Sequence, residues 1–222
     1  MMSIRIRTAA RSSMAAIGLA LASAGVHAAA DDLDRQVALR APAFAAAAQA
    51  ACSAATDASR PSPFELEHEI REAHAAVSKV VVSDETAAAA APILAALAER
   101  IGDLDTVPAL SLQMLRNALA HGAGDTARVI EGRAFAVALL QLIDASGDGT
   151  TPATAWHPCL VSNEYAFAQQ VLGARKVTQQ TLLHEGDRHY DKLTLTMADG
   201  STREVFFDIT ELYRRNAEAL IR

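Results

Sequence analysis

Asp144, Ser146 and Asp148 occupy alternate places in the run Asp144-Ala145-Ser146-Gly147-Asp148-Gly149-Thr150. With a glycine at the sixth place, the run copies the opening of an EF-hand calcium loop. The copy stops there. The twelfth place needs a bidentate Glu and holds Ala155, and Pro152 sits at the ninth. The plainer reading is a helix end closed by Gly147, then Asx and Ser/Thr turns that fix the exit of the chain. A calcium or small-molecule site at this junction is the alternative.

His157 and Cys159 follow closely. A cysteine with a histidine base is a nucleophile in principle, and Asp148 is the near acid of such a hydrolase. Residues two apart on an extended segment, stiffened by Pro158, point the same way at different heights. No oxyanion hole is in evidence, so Cys159 reads more simply as structural. Trp156 and Tyr165 flank the same junction. Aromatic rings there either line a ligand cleft or plug the seam between two layers, the indole N–H then satisfied by backbone. The plug is the reading preferred.

His68-Glu69-Ile70-Arg71-Glu72 imitates a zincin motif, but Glu72 replaces the second histidine. His74 lies off that face, so the segment reads as a solvated acidic helix face. The sequence points to no cofactor. There is no Gly-x-Ser-x-Gly, phosphate loop, dinucleotide fingerprint or Cys-x-x-Cys.

The elements that must position these residues divide at the junction. Residues 1–28 read as a Sec signal peptide: Arg5, Arg7 and Arg11 precede an uncharged run from Met14 to Val26, with cleavage near Ala28 or Ala30. The run is far shorter than the ~20 residues that span a bilayer, so no stable membrane span is expected after cleavage. The leader holds three of the 20 Lys and Arg residues and none of the 26 Asp and Glu, leaving a net charge of −9. That balance opposes nucleic-acid binding, which needs clustered cations. It fits a periplasmic or secreted protein. Export permits a disulfide between Cys52 and Cys159; two separate buried thiols are the alternative.

Residues 29–145 form a helical region. Pro42 breaks an Ala-rich run into a short helix and a longer one reaching Asp57. Ser62-Pro63-Phe64-Glu65 carries a helix cap, a first-turn proline and a capping-box acid. Leu66, Ile70, Ala73, Val77 and Val81 then share one face. Further helices start at Ser83, Pro108 and Asp125 and end near Gly102, Gly122 and Gly147. Such hairpins resemble tetratricopeptide-like pairs, without that repeat's signature spacing; an irregular bundle is the simpler reading.

Residues 146–222 read as α+β: a short strand near Leu160–Ser162, a helix from Asn163 to Leu172, strands at 176–184, 188–197 and 202–209, and a helix after Thr210. A two-residue Asp199-Gly200 turn would set Leu195 against Glu204 and split the apolar positions between faces. A three-residue Ala198-Asp199-Gly200 loop with left-handed Gly200 keeps Leu193, Leu195, Val205 and Phe207 together. That register pairs Asp191 with Phe207, so Asp191 and Asp208 lie on opposite faces and paired-carboxylate catalysis is not supported. Phe206, among Thr and charged residues on the other face, is a candidate contact for a protein partner.

Ser146-Gly147-Asp148-Gly149-Thr150, Thr154-Ala155, Asn163-Glu164-Tyr165, Leu172-Gly173, Gln179-Gln180-Thr181-Leu182, Tyr190-Asp191, Asp199-Gly200 and Phe206-Phe207-Asp208 occur in that order. Over about residues 130–210 this resembles a bacterial exported family, domain of unknown function 4919. Asn163 stands where that pattern has an acid, and His157-Pro158-Cys159 replaces an apolar strand. The resemblance implies an α+β domain and no mechanism. The function expected is a non-enzymatic interaction module whose partner is an envelope protein or peptide.

Overall fold

The computed structural model describes residues 24–80 and 86–221. The n-region and most of the apolar run of the expected leader, Val81 of the expected stripe and the Ser83 helix start lie outside them. The fold is α+β. Helices α1 (Ala24–Arg40), α2 (Ala45–Ala55), α3 (Pro63–Val80), α4 (Thr86–Ile101), α5 (Leu110–Gly122) and α6 (Thr126–Asp144) precede the junction. After it come α7 (Ser162–Gln170), strands β1 (Ala174–Glu185), β2 (Arg188–Met197) and β3 (Thr202–Asp208), and α8 (Thr210–Ala219).

Local chemistry accounts for most boundaries. A 3-10 turn, Ala41–Phe44, carries Pro42 between α1 and α2. Ser62 and Glu65 form a reciprocal capping box at α3: Ser62 N–H donates to Glu65 Oε2 at 2.7 Å, and Glu65 N–H to Ser62 Oγ at 3.3 Å. Asp125 caps α6 by accepting from Arg128 N–H at 3.0 Å. Three expectations need correction. Helix α5 begins at Leu110, so Pro108 lies before it. No strand forms at Leu160–Ser162, where the chain turns directly into α7. Gly147 does not close α6, which ends through a right-handed Ala145; the left-handed glycine of the junction is Gly149, at φ +62°.

The helical region is an irregular bundle. Helix α6 lies at its centre against α1, α2 and α5, and α3 pairs with α4. Its core does not stop at the junction. Leu139 and Ile143 of α6 share a buried cluster with Trp156, Phe167 of α7, Leu193, Leu195, Val205 and Phe207 of the sheet, and Leu212 of α8. Arg215 of α8 is buried and donates to the carbonyl of Arg60 at 2.6 Å, fixing α8 to the loop before α3.

The sheet is antiparallel, ordered β1-β2-β3. Its second hairpin has the register that apolar alternation requires: Leu193 faces Val205, Leu195 faces Arg203, and Asp191 faces Phe207. Gly200 takes φ +84° and donates to Met197 O at 3.0 Å. Leu193, Leu195, Val205 and Phe207 are wholly buried. The outer edge of β3 is occupied. Phe206 N–H donates to Gly149 O, Trp156 N–H to Phe206 O and Asp208 N–H to Trp156 O, at 3.0, 3.1 and 2.7 Å. The junction thus serves as a short parallel partner that covers the strand edge.

A candidate binding cleft at the seam

The junction is rigid for local reasons. Asp148 accepts from Thr150 N–H at 2.9 Å, Thr150 Oγ1 at 2.7 Å and Thr154 Oγ1 at 2.6 Å. These bonds, that from Thr154 foremost, hold the Asp148 carboxyl below the usual carboxylate range. Its acceptor capacity goes to turn geometry, as the Asx and Ser/Thr reading expects. Among the described residues no group of three or more His, Cys, Asp and Glu side chains is placed to hold a metal.

Trp156 is the plug of the seam. It is buried, with its ring centroid 4.8 Å from that of Phe167 and 5.6 Å from that of Phe207. A Cβ on Gly149 would lie 2.2 Å from the indole Cε3, so only glycine lets the junction close over this ring. The expected backbone partner for the indole N–H is missing: Nε1 is buried without a hydrogen bond among the described residues. Tyr165 does not share a cleft with Trp156. It is 38% exposed, and its hydroxyl donates to Gln180 Oε1 of β1.

Cys52 and Cys159 are joined as a disulfide, with Cα atoms 4.8 Å apart and a sequence separation of 107. It ties α2 to the segment after the junction. On a loop-entropy argument, closing so long a loop stabilises the fold by about 4–5 kcal/mol. It also removes the thiolate on which a Cys159–His157 hydrolase depends. Asp148 is not the acid beside His157 either. That place belongs to Asp208, whose Oδ2 is 3.7 Å from His157 Nε2.

The disulfide, His157 and Asp208, but not Asp148, border an open cleft of about 530 Å³ between the helical layer and the sheet. Ser53, Cys52 and Leu142 contribute from the helical side, and His157, Arg188 and Asp208 from the other. Asp208 organises the polar wall. It accepts from Thr210 N–H at 3.0 Å and Thr210 Oγ1 at 2.6 Å, and it pairs with Arg188. Burial alone would raise its pKa, but the Thr210 bonds and the Arg188 charge outweigh burial and hold the carboxyl below its ordinary range. Arg188 and His157 are thereby anchored at the carboxylate while their side chains stay 51% and 61% exposed.

The hydroxyls of this wall are committed inward. Ser146 Oγ donates to Ile143 O at 2.6 Å and accepts from His157 N–H at 2.8 Å. Ser53 Oγ donates to Gln49 O at 3.0 Å, and Thr210 Oγ1 to Asp208. None of them is poised as a nucleophile on the His157 ring. The arrangement presents hydrogen-bond donors beside apolar walls, which is binding chemistry.

Sequence reasoning missed a second group of acids. Glu164 of α7 is fully buried, and neither carboxyl oxygen has a hydrogen-bond partner among the described residues. Burial, with the nearby charges of Asp191 and Glu67, pushes its pKa well above the carboxylate range. Asp191, 4% exposed, is also raised by burial, although Gln180 Nε2 donates to it at 2.6 Å. The signal was available: Glu164, Phe167 and Ala168 fall on one helical face. Asp191 and Asp208 occupy opposite faces, as the register requires. Phe206 is half-buried on the outer face of β3. His68 is exposed, 3.3 Å from Arg71 through Nδ1, in the solvated setting expected for it.

A scan against protein-family models, a search of curated proteins and a search of solved structures each find no match to this chain.

Proposed function

We propose that this chain is an exported, non-catalytic binding module, and that the seam cleft receives a peptide segment of an envelope partner. The carrying observation is the cleft itself: about 530 Å³, walled by both parts of the chain, with Arg188 and His157 presented from an internally satisfied carboxylate. Three further features support the reading. The leader-like residues 1–28 and the disulfide fit an oxidising compartment. No helix among the described residues is long and apolar enough to cross a membrane. The resemblance to the exported family of unknown function 4919 agrees with the α+β fold, and we propose membership of it. The periplasm is the compartment proposed.

The test is crosslinked capture from an envelope extract with three baits: the unaltered protein, Ser53→Trp and Phe206→Asp. Ser53 is exposed on the cleft wall, so an indole there fills the cleft at little cost to folding. The proposal expects one partner captured by the unaltered protein and by Phe206→Asp, and lost with Ser53→Trp. Equal capture by Ser53→Trp removes the cleft as the site. Loss with Phe206→Asp alone moves the interaction to the outer sheet face.

A further inference from the structure

The structure assigns a second site, distant in role from the cleft: a bis-histidine site for a divalent transition metal, formed by His184 and His189 at the tip of the first hairpin. The two residues face each other directly across β1 and β2. A two-residue Gly186-Asp187 turn, with Gly186 at φ +61°, joins Glu185 to its partner Arg188 and fixes that pairing. Directly opposed side chains on neighbouring strands have Cβ atoms close enough for their end groups to meet.

The two Nδ1 atoms lie 2.7 Å apart. Without a metal, one imidazole must donate a proton to the other, since two lone pairs at that distance repel. A metal ion offers the alternative. Metal–imidazole bonds are about 2.0–2.1 Å, so two nitrogens in adjacent positions of a square or octahedral shell sit about 3 Å apart. The observed separation needs only a small opening to reach that bite. Imidazole nitrogen suits copper(II), nickel(II) and zinc(II), with copper(II) the tightest by the usual order of divalent affinities.

The rings are held rather than free. Tyr213 of α8 stacks on His189, with centroids 3.9 Å apart and planes 24° apart, and meets His184 edge-on at 6.1 Å. The backbone of His189 is fixed independently, its N–H donating to Thr210 Oγ1 at 3.0 Å. The aromatic wall holds both imidazoles toward one another, so ring-rotation entropy lost on chelation is small. His184 is exposed, which leaves the remaining coordination positions to water.

Copper(II) chloride, and separately zinc(II) chloride, titrated into the protein in a non-chelating buffer tests the assignment. Calorimetry should show one saturable site per chain, and the copper complex should show nitrogen ligation by electron paramagnetic resonance. His184→Ala and His189→Ala should each abolish the saturable site with the circular dichroism spectrum unchanged. Tyr213→Ala should weaken it by about tenfold, the lower end of what losing a ligand-orienting neighbour costs. His121→Ala, an exposed histidine at the end of α5, should leave it intact. No saturable site in the unaltered protein overturns the assignment and leaves a hydrogen-bonded pair only. A site that survives both His184→Ala and His189→Ala overturns it too.

Discussion

Two carboxylates one step apart in register, Asp208 on β3 and Asp191 on β2, end in opposite chemical states. Asp208 faces the seam, where Thr210 and Arg188 satisfy it and keep it charged. Asp191 faces inward toward Glu164, where burial raises both acids and no cation compensates among their named neighbours. Alternation along the strands sends the two acids to different faces, and the neighbours on each face decide the rest. The seam is built to present charge to solvent, whereas the Glu164 pocket is built to exclude it.

The comparison breaks most severely if the seam is cut. Replacing Cys52 and Cys159 together by Ala should cost about 4–5 kcal/mol, read as a lowered urea midpoint. Gly149→Ala comes next, at about 3 kcal/mol, because the new Cβ would strike the indole and the backbone sits at positive φ. Asp208→Ala should cost about 2 kcal/mol by orphaning Thr210 N–H and releasing Arg188. Its urea midpoint should fall while Glu164 stays undisturbed.

The pH dependence sharpens the contrast because the two signs are opposite. Glu164 binds its proton more tightly folded than unfolded. Its contribution is therefore full at low pH and is lost as pH rises from the ordinary carboxyl range to the raised folded value. Asp208 binds its proton less tightly when folded. Its contribution is full above the ordinary range and is lost as pH falls through the depressed folded value. Each shift acts with a limiting slope of about 1.4 kcal/mol per pH unit. Glu164→Leu should remove the first slope and stabilise the protein more at pH 8 than at pH 5. Asp208→Asn should remove the second slope, lowering stability at neutral and alkaline pH and changing it least at strongly acid pH. The smallest effect belongs to Tyr165→Phe, which loses one exposed hydrogen bond to Gln180 and should shift stability by under about 1 kcal/mol.

Much of this arrangement was legible in the sequence because local rules wrote it. The Ser62–Glu65 capping box, the three-residue loop at Gly200 and the strand spans all follow from caps, turns and alternation over a few residues. Trp156 as a seam plug followed from its place between the helical and strand patterns. Contacts that depend on the chain doubling back were not legible. Asp208 meets His157 only because the junction lies along the edge of β3, a placement that no short-range pattern encodes. The alternative grouping of Asp148, His157 and Cys159 fails for the same reason, and the preferred structural reading of Cys159 holds. Nearness in sequence stood in for nearness in space, while turn bonds had engaged Asp148 and a partner 107 residues away had taken the Cys159 sulfur. Glu164 carried no cap, turn or motif signal of its own, although its spacing from Phe167 placed it on the buried face.

The claim that binding belongs to the seam is tested most directly by footprinting the captured complex. Residue-level labelling would be compared with and without the bound partner. The account predicts protection at Ser53, His157 and Arg188, with Tyr165 and Phe206 labelled equally in both states. Unchanged labelling along the cleft, with protection at Tyr165 or Phe206, would contradict it.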